Sequence, residues 1–370
     1  MSKAAELAAL IGSQTALSNR NLIINGAMQV AQRGTSTTGI TSGTAYNTVD
    51  RFQFGVINAG TYTIAQSTTT PDGFGFSTKI DCTTADTSVA ADHAVFFQQR
   101  IEGQNLQLLQ KGTSSAKKHT LSFYVKSNKT GTFTVHIKDN DNSRSISKTY
   151  TIDSANTWER KTIVIDGDAT GALDNDNAYS YQIRWFLAAG SNYTSGTMNS
   201  TWASQTTANI VSSSQVNLSD STDNEWLITG IQLEVGEQAT PFEHRLFDDE
   251  LDRCKRYYQK SFAYDTAPAN DTRGDRESEM PPSDSISYAG AIVYLEKAMR
   301  AAATCQAYNP QTAPANSGAY INDLVNDTVT TEYAVSSIVA TTGKVRFFLS
   351  VAPTLGGNPY GCNWTADAEL

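Results

Sequence analysis

A period of two constrains this chain more than any other feature. Leu121, Phe123 and Val125 alternate with Thr120, Ser122, Tyr124 and Lys126, the pattern of a strand buried on one face. Phe133, Val135 and Ile137 repeat it, and the run Asp139-Asn140-Asp141-Asn142 supplies the next turn, since Asp and Asn bond their own backbone. Further strands are expected over residues 74–82, 94–101, 143–152, 157–165, 180–188 and 225–235, each bounded by Gly, Asn or Asp. Many short strands with turns between them predict a mainly β protein, an antiparallel jelly-roll sandwich and not a parallel α/β sheet. Trp185, between Ile183 and Leu187, is expected in the core. His136 points outward between Val135 and Ile137 and is expected to be solvated.

At 370 residues the chain exceeds the roughly 100–200 residues of one domain, so two cores are expected. Strong helix formers occupy residues 3–11 and place Leu7, Leu10 and Ile11 on one face before Gly12. So short a helix is marginal in water, and residues 1–20 are therefore expected to dock as an anchor. A jelly roll is expected over residues 21–246. Within it, residues 190–224 are rich in Ser, Thr and Asn, lack strand pattern, and are expected to form a long loop. Phe247, Leu251, Cys254 and Tyr258 make a helical stripe with acidic residues in the first turn and basic ones in the last. That pattern predicts a linking helix over 247–262. Pro268, Pro281 and Pro282 mark residues 263–284 as a linker. Alternation then resumes in a smaller C-terminal β-sandwich domain over 285–370, at residues 320–325, 329–335, 344–351 and 363–370.

The 28 basic and 37 acidic side chains leave a formal charge of −9, which argues against a nucleic-acid partner. Only 18% of residues are charged, against about 25% in average soluble domains, and uncharged polar residues take their place. No run approaches the ~20 apolar residues of a bilayer span, so membrane insertion is not expected. The opening residues lack the basic region and cleavage site of a secretory signal, which implies synthesis and assembly in a cytosol. Cys82, Cys254, Cys305 and Cys362 are widely spaced and match no paired metal-ligand motif, so reduced, mostly buried thiols are expected.

Several segments resemble one family. Asn21-Leu-Ile-Ile-Asn-Gly-Ala-Met28, Gln32-Arg-Gly-Thr-Ser36 and Asp50-Arg-Phe52 are similar to the opening of bacteriophage tail-fibre and related virion proteins. Trp226-Leu-Ile-Thr-Gly-Ile-Gln-Leu-Glu-Val-Gly236, Ala239-Thr-Pro-Phe-Glu-His-Arg245 and Cys254-Lys-Arg-Tyr-Tyr-Gln259 resemble the closure of the same group's domain, and Trp364-Thr-Ala-Asp-Ala-Glu-Leu370 its usual ending. Between them, Gln99-Arg-Ile-Glu-Gly-Gln104 and Thr120-Leu-Ser-Phe-Tyr-Val-Lys-Ser127 look like strands of a carbohydrate-binding-module jelly roll. The resemblance implies a structural virion protein: a homotrimeric tail-fibre subunit that attaches to other virion proteins (a tail adaptor, nozzle or capsid) and recognises a host-surface glycan. A head fibre or capsid decoration protein is the alternative, and a glycan-hydrolysing tailspike is the alternative of another class. Over residues 295–308 the resemblance implies an extended segment where propensity favours a helix, and the strand is preferred. Leu22–Ile24 before the Asn25-Gly26 turn suits a first strand, Phe52 a core position, and Gly230 a bulge.

Acyl transfer needs a nucleophile, a base and an orienting acid in one cleft, and His93, His119, His136 and His244 accompany no nucleophile elbow. Glycan hydrolysis needs paired carboxylates, often on a β-helix, and no short-period repeat is visible. No catalytic residue is expected. Asp139–Asn142 and Asp174–Asn177 offer oxygen ligands to calcium, but their spacing misses the EF-hand and turn formation explains both. No cofactor is expected, with structural calcium as the alternative. Aromatic faces stack on sugar rings, and Trp202 and Tyr193 lie in the polar loop with nothing apolar nearby to bury them. They are the candidate glycan-binding residues, with Tyr360 in an expected loop over 354–362. Aromatics in these positions also anchor subunit interfaces, and both readings stand.

Overall fold

Contacts along the chain divide it into two units, one of residues 1–29, 36–247 and 370, the other of residues 30–35 and 248–369. The computed structural model describes residues 19–270, 278–280, 290–308, 320–323, 333–349 and 360–370, together with Lys3 alone. Leu7, Leu10 and Ile11 of the expected anchor lie outside the described residues.

The first unit is a sandwich of two antiparallel sheets. One sheet has six strands in the order β1 (Ser36–Ile40), β4 (Thr61–Ser67), β5 (Ser77–Thr84), β13 (Glu225–Val235), β7 (His119–Ser127) and β10 (Glu159–Ile165). The other has seven, in the order β12 (Ala203–Ser204), β9 (Arg144–Ile152), β8 (Gly131–Asp139), β11 (Tyr179–Ala189), β6 (Ala94–Glu102), β3 (Phe52–Ile57) and β2 (Gly43–Ala45). Leu121, Phe123 and Val125 from one sheet and Val135, Ile137, Ile183 and Trp185 from the other enter a common core, as the alternation predicts. Phe52 lies flat on Phe97 with centroids 4.9 Å apart, and Trp185 meets Phe123 edge-on at 5.7 Å. Each such side chain contributes roughly 1.5–3 kcal/mol on burial.

The first four strands are absent from the sequence expectation. β3 reads Phe-Gln-Phe-Gly-Val-Ile and is buried through five of its six positions, so no alternation marks it. Residues 22–24, expected as a strand, run beside β13 without joining its ladder. There the Asn21 side chain takes the place of a paired backbone: its Oδ1 accepts from Leu233 N at 3.1 Å and its Nδ2 donates to Ile231 O at 3.1 Å. Gly230 is the expected bulge, with φ +62° and a register shift between Thr229 and Gln232. A Cβ at Gly230 would stand 2.7 Å from Phe74 Cζ, so only glycine fits beneath that ring.

The expected long loop is a structured cover. Residues 190–224 contain a helical turn, α1 (Ser191–Thr194), strand β12 and two 3-10 turns. Ile210 and Val211 of this segment pack on Ala94, Phe96 and Phe186. Ser147 Oγ donates to Ile210 O at 2.7 Å, and Thr134 N donates to the Gln215 side chain at 2.8 Å.

In the second unit, β21 (Tyr360–Asp367) pairs with β14 (Tyr258–Lys260), β15 (Ser278–Met280), β17 (Thr304–Tyr308) and β18 (Tyr320–Asp323). The sheet continues through β19 (Tyr333–Ala340) and β20 (Lys344–Leu349) to β16 (Gly290–Tyr294). Met299, Ala307, Val345, Phe347, Trp364 and Ala366 form its core. The helix expected over 247–262 is α2 (Phe247–Lys255) and ends seven residues early. Tyr257 and Tyr258 are both buried, which one apolar helical face does not allow, and Tyr258 instead pairs with Asp367 in β14. Residues 30–35, placed by chain order in the jelly roll, belong to this unit: Gln32 Nε2 donates to Tyr258 O, and the Arg33 guanidinium lies 3.8 Å over the Tyr258 ring. In the 295–308 segment only Thr304–Tyr308 is a strand. Leu295 N and Met299 N donate to Gly343 O and Thr342 O, so distant carbonyls replace the helical ladder.

Candidate functional site

Along β6, Val95, Phe97 and Ile101 face the core, so Phe96, Gln98 and Arg100 face outward. The register carries this across the seven-stranded sheet in three rungs. Phe96 pairs with Phe186, and Phe186 with Thr134. Gln98 pairs with Arg184, and Arg184 with His136. Arg100 pairs with Gln182, and Gln182 with Lys138. The first rung lies under Ile210 and Val211 of the cover, and the other two make a polar half beside it. β3 adds Gln53 opposite Gln98. Gly55 makes room for this arrangement, because a Cβ there would fall 2.3 Å from the Phe96 ring.

The polar half is tightly ordered. Gln98 Nε2 donates to Gln53 Oε1 at 2.5 Å, while Gln98 Oε1 accepts from Gln182 Nε2 at 2.6 Å and Arg184 Nε at 2.8 Å. The Arg184 guanidinium lies 4.0 Å from the centroid of the Phe96 ring, and that of Arg100 lies 4.6 Å from the Tyr179 centroid. Arg100 also donates to the Leu370 main-chain oxygen at 2.7 Å. His136 points outward as expected but is 1% exposed, because neighbouring strands and the cover close over it. Both its ring nitrogens lack a hydrogen-bond partner among the described residues. Burial, then Arg184 and Lys138, push its pKa down from 6.5 to about 3, so the ring is neutral near pH 7. Burial and then Arg100 push Arg184 down to about 10, and burial with Arg184 and Arg100 lowers Lys138.

The residues nominated from sequence are dispersed. Tyr193, in α1, packs beside this face, with its ring 6.2 Å from Phe186 and its hydroxyl 3.3 Å from Asp92 O. Trp202 closes one end of the sandwich, where its indole N–H donates to Asp166 O at 2.7 Å and its ring lies 6.0 Å from Tyr181. Both are half-buried against apolar neighbours, contrary to the expectation that nothing would cover them, since chain-distant strands supply those neighbours. Tyr360 opens strand β21 instead of standing in a loop.

Beside Trp202, the Asp139–Asn142 turn holds a cation supplied by the chain. Lys111 Nζ reaches Asp139 Oδ2 at 2.5 Å, Asp168 Oδ2 at 3.1 Å and the carbonyls of Thr170 and Gly171, both at 2.9 Å. Arg144 Nε joins Asp168 at 2.7 Å. Burial alone would raise the Asp168 pKa, but Arg144, the Thr170 N–H and Lys111 bring it below the ordinary range. The oxygens suited to calcium thus surround an ammonium. Among the described residues no cluster of three or more His, Cys, Asp or Glu side chains is arranged to hold a metal. The Asp176 carboxylate accepts from Ala178 N at 2.9 Å, as a turn does. A cleft of about 510 Å³ lined by Gln107, Gln110, Lys111 and Thr113 adjoins the cage, but its ammonium is already engaged.

Sequence reasoning missed Gln53, Gln98, Arg100, Lys138, Gln182 and Arg184. Their polar, outward alternation was visible, but any solvated strand face shows it, and only the register joins them.

No protein-family model and no curated protein matches the chain. Among solved structures it is similar to the enzymatically active domain of tailspike protein 4 of bacteriophage CBA120, at 14% identity and TM-score 0.31 over 59% of this chain and 22% of that one. The chain thus spans about a fifth of that tailspike's length. A family 4 carbohydrate-binding module is 14% identical at TM-score 0.28, covering 57% of this chain and 98% of that one. A family 11 module of a Clostridium thermocellum cellulase is 12% identical at TM-score 0.27, covering 54% and 99%. Likenesses of this size carry no functional weight, and the β-sandwich stands on its own sheets. Among the described residues no helix is long and apolar enough to cross a membrane.

Proposed function

We propose that this chain is a structural protein of a bacteriophage virion, a tail-fibre subunit whose first unit binds a host-surface glycan on the polar half of the seven-stranded sheet. The observation that carries the reading is the bonded row Gln53, Gln98, Gln182 and Arg184. Gln53, Gln98 and Gln182 are buried, and through them the strands hold the half-buried Arg184 guanidinium as a fixed donor, which is what sugar hydroxyls require. Tyr193 at the border supplies an aromatic wall. The face holds the glycan rather than cleaving it, because it brings together amides and cations where hydrolysis needs two carboxylates. The resemblance of residues 21–52 and 226–259 to phage fibre proteins supplies the virion setting, including a homotrimer anchored to the particle through Leu7, Leu10 and Ile11.

The test is adsorption of labelled full-length protein to host cells, with oligomer mass measured on the same samples. Gln98→Ala together with Gln182→Ala is expected to abolish adsorption while leaving the oligomer intact. Unchanged adsorption would remove the face from the function, and a full-length 40.0 kDa monomer would remove the trimer.

A further inference from the structure

The polar half of this face carries charge that the protein does not neutralise. Arg184 on β11 is diagonal to Arg100 on β6 and to Lys138 on β8, roughly 7–8 Å from each by strand geometry, and Arg100 and Lys138 flank Gln182 about 10 Å apart. All three are half-buried; Arg100 reaches the terminal Leu370 oxygen at 2.7 Å, whereas among the described residues Lys138 and Arg184 make no ion pair. Glu102, two residues beyond Arg100, is fully buried and bonded to Gln104.

Elsewhere in the same unit, several part-buried cations have a carboxylate partner. Lys79 meets Glu225, Lys129 meets Asp220, Lys161 meets Glu159, and Arg144 meets Asp168. A chain with 37 acidic residues has carboxylates to spare, yet it leaves Lys138 and Arg184 without an ion pair among the described residues, both adjoining the buried His136 in the sheet. Partly desolvated like charges repel one another. An anion seated between Arg184 and Lys138 relieves that repulsion.

We infer that the glycan taken by this face is an acidic one, a polysaccharide whose sugars carry carboxylates, as uronic acids do. The inference rests on the glycan reading above. A planar carboxylate matches the guanidinium fork of Arg184 and accepts from the Lys138 ammonium, while the buried amide row Gln53, Gln98 and Gln182 holds that fork in position. A nucleic acid also carries anions, but its backbone calls for a broad basic field, which a chain of net charge −9 lacks.

The probes are oligomers of galacturonate, glucuronate and mannuronate, each as the free acid and as the methyl ester, titrated calorimetrically into the full-length protein. At least one free acid is expected to bind, with its ester at least about tenfold weaker, and Arg184→Gln and Lys138→Gln are each expected to weaken it roughly tenfold. Added salt should weaken binding further. Lys117→Gln, an exposed lysine off the face, should change nothing, and thermal melting checks that each variant folds. Equal binding of acid and ester, or of a neutral host polysaccharide in place of either, overturns the acidic inference and leaves the glycan reading standing. Binding of single-stranded DNA as tight as that of the best acid overturns it in favour of phosphate. Absence of any glycan binding, with adsorption unaffected by Gln98→Ala and Gln182→Ala, overturns both.

Discussion

Two groups of buried and half-buried cations in the same sandwich are treated in opposite ways. Lys111, its side chain 4% exposed, has two carboxylates and two carbonyls around its ammonium. Arg184 has an amide and aromatic rings, Arg100 an aromatic ring and the terminal Leu370 oxygen, and neither Arg184 nor Lys138 has an ion pair among the described residues. The first group ties the turn after β8 to the loop after β10, closing the end of the core. The second leaves its charge available at a surface. The difference teaches that burial of a cation does not by itself indicate its role; its counter-charge does.

The largest effect that would break this comparison is on stability. Lys111→Met leaves Asp139, fully buried, without its cation, and is expected to cost about 3–5 kcal/mol in urea unfolding. Arg184→Gln is expected to cost less than about 1 kcal/mol, because it relieves repulsion from Arg100 while losing one bond to Gln98. Equal losses for the two variants would mean that Arg184 is structural as well.

Acid stability sharpens the same contrast. Burial lowers His119 from 6.5 to about 4, and burial, then Arg184 and Lys138, lower His136 to about 3. The unfolded chain therefore takes up these protons first, and their contribution is whole above about pH 6.5. It is lost as pH falls through the window from 6.5 to each folded value, at about 1.4 kcal/mol per unit for each histidine. Asp168, held below its ordinary range, adds a loss below about pH 4. In Arg184→Gln the His136 window should close at a higher pH, measured by circular dichroism as a series of urea midpoints between pH 7 and 2.5. An unchanged acid end of the window would disconnect His136 from the cation cluster.

The smallest effect separates the two loop aromatics. Trp202→Ala should cost about 2 kcal/mol, since it removes core packing and the bond to Asp166 O. Tyr193→Ala, at the border of the polar half, should cost under about 1 kcal/mol and instead weaken host-cell adsorption. Differential calorimetry and adsorption on the same two proteins check it, and a reversed order would make Trp202 the ligand residue.

What was legible in the sequence follows from local chemistry. The alternation in β7, β8 and β11 placed Phe123, Val135 and Trp185 in the core, and Gly230 was recognisable as a bulge, because side-chain direction along a strand depends on neighbours two residues away. β4 also carried the signal, in Tyr62 and Ile64, and was passed over. β3 was illegible because both its faces are buried. The stripe over 247–262 misled where two adjacent tyrosines needed burial, which pairing with a strand more than 100 residues later provides.

By itself, then, the sequence determined a mainly β chain, the inward side of most strands and a net charge of −9, all properties of short segments or of composition. Only the tertiary structure decided that Gln53, Gln98, Arg100, Lys138, Gln182 and Arg184 share one surface, that His136 is covered, and that Lys111 fills a cage of oxygens. Each depends on strand register between segments tens of residues apart, and a one-residue slip would send those side chains to the other face. Pairing, unlike alternation, is written in no single stretch of chain.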